Sequence, residues 1–166
     1  RLRCAHHVGR AGGDADVLEP PSIEAAAGRQ APLQRGRRQP AAVLGRDEVL
    51  AFAAAYDPQP FHLDEDAANA SVLGRISASG WHTCAMTMAM LVENLKNSRQ
   101  AGLGSPGQDE LRWHKPVYPG DVLRVETELL EKTRSRSRLE MGSMRSRIKV
   151  FNQNDELVMS MIRIGL

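Results

Sequence analysis

Aromatic side chains are scarce in this chain, with three Phe, two Trp and two Tyr among 166 residues, and residues 1–40 contain none. That leading segment holds four prolines, five glycines and seven arginines against four acids, and it sustains neither a helical nor a strand period. Such a stretch has little to bury, so residues 1–44 are expected to be irregular or mobile and residues 45–166 to form the folded domain. Cysteine is nearly absent too. Cys4 and Cys84 make neither a disulfide framework nor a metal cluster. Cys84 falls in an apolar helical pattern, which points to a buried thiol in a reducing compartment. Long apolar runs are missing, so no membrane span is expected. The N-terminus lacks the apolar stretch of a signal peptide, and a cytoplasmic location is the default expectation. An excess of one charge is also missing from the folded part. Residues 41–166 carry fifteen Lys and Arg against sixteen Asp and Glu, so the basic pI of about 8.8 comes from the leading segment. A nucleic-acid partner gains no support from it.

What is present begins near residue 45. Gly45 or Asp47 can cap a helix over about 47–56, with Val49, Phe52, Ala53 and Tyr56 as its buried stripe. Pro58 disfavours helix in the residue before it, which ends the helix at Asp57. Pro60 is expected to keep the next residues extended, and an acidic turn of helix over about 64–70 follows. After Gly80 a long helix is predicted over about 81–99. From Cys84 to Val92 it is apolar all round except for Thr87, the mark of a helix buried on every face. The rest reads as strands. One lies near 109–115, followed by a turn at Pro119-Gly120-Asp121. A second alternates Leu123, Val125, Thr127 and Leu129 with charged residues. In the third the apolar phase shifts after Leu139 and Met141, which points to a β-bulge at Gly142-Ser143. Asn152–Asp155 make a turn, and 156–164 form a last strand buried on both faces. One buried helix followed by about four strands in an antiparallel meander implies an α+β architecture, a curved sheet wrapped around the helix as in the hot-dog fold. Its open edge would be covered by a second copy, giving a homodimer.

Asp57 and His62 stand five apart in "YDPQPFH", a stretch stiffened by two prolines. They are either the end of a helix with a satisfied histidine nearby or a proton-transfer pair. "HLDED" (62–66) reads as an acidic helix start, and no metal is expected. His82 and His114 lack partners in the sequence and read as structural or exposed. Trp81 and Trp113 fit core positions, and "KTRSRSR" (132–138) fits a solvated loop or, at most, a contact for coenzyme A phosphates.

Residues 49–87, "VLAFAAAYDPQPFHLDEDAANASVLGRISASGWHTCAMT", resemble the MaoC-like dehydratases, which include the (R)-specific enoyl-CoA hydratases. The shared pattern is an aspartate, Gln-Pro-x-His, an acidic helix, and a small-Gly pair opening the long helix. "LRWHKPVYPGDVL" (111–123) is similar to the family's Pro-Val-x-Pro-Gly-Asp turn. The resemblance covers roughly 45–166. It implies that Asp57 and His62 hold a catalytic water and that the Gly80 amide binds the thioester oxygen. It also implies that Pro60, Phe61, Ser79 and Trp81 contact an acyl-CoA substrate. Coenzyme A would enter as part of that substrate, with no separate cofactor. The chain departs from the family at Ser79, where many members have His, and at Met88, where active members often carry a helix serine. The implied activity is hydration of a trans-2-enoyl-CoA or dehydration of a 3-hydroxyacyl-CoA. A non-catalytic acyl-thioester binder and a hot-dog thioesterase are the alternatives; the second usually needs an acid on the long helix, and none stands between Trp81 and Val92.

Overall fold

The computed structural model describes residues 37–38, 42–98 and 102–166. Most of the leading segment therefore lies outside the described residues. Two short strands within it, β1 (Arg37–Arg38) and β2 (Ala42–Val43), pair antiparallel with the long strand β4 (Val122–Arg134). Strand pairing thus begins upstream of residue 45.

Helix α1 (Arg46–Tyr56) starts after Gly45, whose N–H is accepted by the Glu48 carboxylate at 3.4 Å. Asp47 and Glu48 in its first turn suit the positive end of the helix dipole. Val49 and Ala53 are buried, but Tyr56, expected on the same stripe, is 75% exposed. The helix ends where the Asp57 N–H reaches the Ala53 carbonyl at 2.9 Å, immediately before Pro58. The next residues are not extended: Pro60–Leu63 form a helical turn, α2, with Pro60 in its first turn. Proline's fixed φ and missing N–H cost nothing at such a position, so Pro60 opens a turn here instead of preventing one. Asp64 then closes α2 and caps α3 (Glu65–Ala70), its carboxylate accepting from the Ala67 N–H at 2.8 Å.

Helix α4 (Gly80–Ser98) is the long helix. Met90, Leu91 and Thr87 are buried, and Met86 and Cys84 pack partly against the core. It is not covered on every face. Trp81, Ala85, Ala89 and Val92 form an exposed stripe along it. The apolar circumference read from the sequence is therefore only partly covered by the described residues.

The remaining strands are β3 (Gly107–Trp113), β5 (Gly142–Phe151) and β6 (Leu157–Gly165). The sheet order is β1-β4-β5-β6-β3, so β3 pairs with β6 at one edge and only β4, β5 and β6 form a meander. Strand β5 begins at Gly142, and Leu139, expected within a strand, belongs to the preceding turn and is 61% exposed. The expected bulge at Gly142-Ser143 is not there. Leu129 pairs with Ser146 and Glu131 with Arg145, so the extra residue is Leu130 on β4. Leu123, Val125, Ile148, Val150, Met159 and Met161 pack with Met90 and Leu91 into one core. On the opposite face Glu128 and Arg147 are directly paired across the strands and bridged at 2.8 Å. Among the described residues no helix is long and apolar enough to cross a membrane.

Candidate active site

Asp57 sits at the C-cap of α1 and His62 is the third residue of α2. The two prolines turn the chain back between them. Asp57 Oδ2 lies 3.5 Å from His62 Nε2, with side chains 19% and 7% exposed. His62 Nδ1 lies 2.7 Å from the main-chain oxygen of Ser77. A carbonyl oxygen only accepts, so Nδ1 carries the proton, and Nε2 of the neutral ring is an acceptor that faces the carboxylate. Two acceptors at that separation suit one shared donor. A water can give a hydrogen to each and keep a lone pair free to attack. The edge of the Phe61–His62 ring pair, centroids 4.5 Å apart at 61°, supports the imidazole.

The Ser79 hydroxyl and the Gln59 amide, the latter 2.8 Å from Asp57 Oδ1, hold the Asp57 carboxyl below its ordinary value; partial burial opposes this and His62 adds to it. Ser79 is 1% exposed, and its Oγ also accepts from the Trp81 N–H at 3.2 Å. Ser79 is therefore a buried residue just before α4 whose hydroxyl acts on the acid.

Gly80 is the first residue of α4, so its N–H has no intrahelical acceptor. The Trp113 indole lies over its Cα: a Cβ at Gly80 would come 2.5 Å from Trp113 Cε2. The Trp113 Nε1–H donates to the Gly80 carbonyl at 2.9 Å. Trp113 stands at the end of β3 beside α4, and its ring meets that of Trp81 edge-on at 5.4 Å.

Asp57, His62, Gly80 and Trp81 line a cleft of about 420 Å³ together with Gln59, Thr83, Trp113, His114 and Lys115. That is the size of a small-molecule site. Pro60 and Phe61, expected to touch substrate, are not among the lining residues. They shape α2 and brace His62. Sequence reasoning missed Gln59, Trp113, His114 and Lys115. Gln59 was within reach, since it stands inside the Asp-Pro-Gln-Pro-x-His motif. The others reach the cleft because β3 pairs with β6, with His114 Nε2 2.8 Å from Ser160 Oγ and Lys115 paired with Glu156. His82 is buried and stacked on Phe52, centroids 4.5 Å apart, and burial pushes its pKa down. Among the described residues no group of three or more His, Cys, Asp or Glu is placed to hold a metal ion.

Residues 28–150 match the family model described as the MaoC like domain. The chain belongs to the MaoC-like dehydratase family. This MaoC-like chain is 37% identical to the MaoC-like dehydratase from Rhodospirillum rubrum, over 81% of this chain and 92% of that one, with a TM-score of 0.68. It is 26% identical to the R-hydratase PhaJ1 from Pseudomonas aeruginosa, over 80% and 81% of the two chains, with a TM-score of 0.59. It is 30% identical to YdeM, an uncharacterized protein of Bacillus subtilis (strain 168), over 68% of this chain and 77% of that one. The antiparallel sheet with its long helix is thus the α+β hot-dog fold of these MaoC-like proteins.

Proposed function

We propose that this MaoC-like chain is a hydro-lyase of acyl-CoA thioesters, hydrating trans-2-enoyl-CoA or dehydrating 3-hydroxyacyl-CoA. The observation that carries the reading is the 3.5 Å approach of Asp57 Oδ2 to His62 Nε2, with Nδ1 committed to the Ser77 carbonyl. In hydration the shared water attacks Cβ and gives up a proton to Asp57, while His62 orients it. The carbon–oxygen bond forms as the π pair of the alkene moves through Cα onto the thioester oxygen. The Gly80 N–H, at the positive end of α4, stabilises that oxygen. The proton then passes to Cα, which restores the thioester. Coenzyme A is part of the substrate, no step calls for a metal or redox cofactor, and the chemistry suits the cytoplasm. The hydratase named among the similar structures supports this reaction class.

Ser79 bears on the missing helix serine: its hydroxyl acts on Asp57 where Met88 offers none. A homodimer belongs to the same reading. The stripe of Trp81, Ala85, Ala89 and Val92 runs along α4 beside the sheet-edge strand β3, and a second copy would cover both. Crotonyl-CoA tests the proposal through loss of its enoyl absorbance, which is expected with the native chain and not with Asp57→Asn. Undiminished turnover in Asp57→Asn overturns the mechanism. Met88 favours a second reading, an acyl-thioester binder without turnover. Saturable crotonyl-CoA binding with unchanged absorbance is its signature. Release of free thiol from acyl-CoA would instead mark a thioesterase.

A further inference from the structure

A second cavity, of about 90 Å³, lies between the C-terminal half of α4 and the sheet, and it shares no lining residue with the Asp57–His62 cleft. Its walls are mostly apolar, with Leu91 and Leu95 from α4 and Met144 and Ile148 from β5. Arg163 of β6 and Thr127 of β4 also line it. Arg163 Nε and Thr127 Oγ1 are both buried and find no partner among the described residues. Among the described residues no acidic side chain lines the cavity. A buried Nε–H without an acceptor is costly, and an anion that accepts from it removes that cost.

We propose that this cavity binds a short-chain carboxylate anion. The carboxylate accepts from Arg163 Nε and from the Thr127 hydroxyl, and the hydrocarbon end packs against Leu91, Leu95 and Ile148. Arginine suits this ligand because a guanidinium N–H gives a carboxylate oxygen a charge-assisted hydrogen bond. A water needs about 10–15 Å³ by this measure, so the space admits several water-sized groups, enough for a chain of about two to four carbons.

The test is butyrate titrated into the full-length protein at matched ionic strength, with butyramide as the neutral isostere. Calorimetry gives the affinity, and methyl NMR of Met144 and Ile148 gives the place. Saturable butyrate binding that shifts those methyls is expected, with butyramide weaker by about tenfold or more, the usual gain of a charge-assisted pair. Arg163→Gln is expected to lose about as much as the neutral isostere does, and Thr127→Val to lose several-fold. If Arg163→Gln does not fold, Thr127→Val alone decides. No saturable binding, equal binding of butyramide, or undiminished affinity in the folded variants overturns the proposal.

Discussion

Replacing Gly80 with alanine separates the geometry of α4's first residue from its chemistry. The added Cβ would lie 2.5, 2.7 and 2.9 Å from three atoms of the Trp113 indole. Carbon atoms pack comfortably at about 3.5–4.0 Å, so ring or helix start must yield by about an ångström. Trp113 is 46% exposed, so it has room to swing outward, which keeps the stability loss below the full cost of overpacking. The swing gives up the hydrogen bond from Trp113 Nε1 to the Gly80 carbonyl. Together a loss of about 1–2 kcal/mol is expected, within the range for overpacking and a lost hydrogen bond. Catalysis should suffer more. A displacement of about 1 Å in a positioned group can cost about a hundredfold in rate, and loss of an oxyanion donor about a hundred- to a thousandfold. The assay is crotonyl-CoA hydration beside urea unfolding, for Gly80→Ala alone and combined with Trp113→Ala. Removing the indole relieves the clash, so the stability costs should be non-additive in that pair. A Gly80→Ala protein with native kcat/KM would refute the claim that the close indole contact fixes the position of the amide. An equal stability loss with and without the indole would refute the packing argument.

Other outcomes follow from the same geometry. Asp57→Asn should lower kcat by about a hundred- to ten-thousandfold, as loss of a general base does, with substrate affinity nearly kept in a calorimetric titration. The Asp57 carboxyl titrates below its ordinary value of 3.8, so the acid limb of the kcat/KM profile should lie below that value, and Ser79→Ala should move the limb upward. Because that value is depressed on folding, the associated stability is present above the unfolded value and disappears as pH falls through the folded one, and Ser79→Ala should weaken this dependence in acid unfolding. Ala89→Glu, on the exposed stripe of α4, should convert a dimer to a monomer in analytical ultracentrifugation while leaving the circular dichroism spectrum unchanged.

The elements that the sequence marked clearly are those with local signals. The alternation of Leu123 and Val125 with charged neighbours predicts β4, and Pro58 predicts the end of α1, because a period or a proline acts within a few residues. The Asp57–His62 pair was legible for the same reason, since both ends sit in one short proline-bound loop. The pairing of β3 with β6 was not, because register is decided by strands dozens of residues apart. With it went Trp113, His114 and Lys115, which no local pattern ties to the cleft. The bulge expected at Gly142-Ser143 is not found because Leu139 and Met141 precede β5, so their phase does not belong to that strand, and the slip at Leu130 on β4 left no such mark. Trp81 was expected in both core and cleft, and its 59% exposure places it on the open face of α4.

The oxygen that orients His62 belongs to the main chain of Ser77, and the segment carrying it is tied to the strand turn by the Ala78 N–H to Val117 carbonyl bond of 2.8 Å. No change of side chain at residue 77 can delete that oxygen. The imidazole's tautomer is thus inherited from the path of the backbone, and a replacement that fits the buried site of Ser77 leaves unchanged which nitrogen looks toward the acid. Losing that arrangement takes a shift of the whole strap, so a deletion or insertion between Gly74 and Gly80 should disturb the His62 tautomer more than a replacement of the Ser77 side chain does.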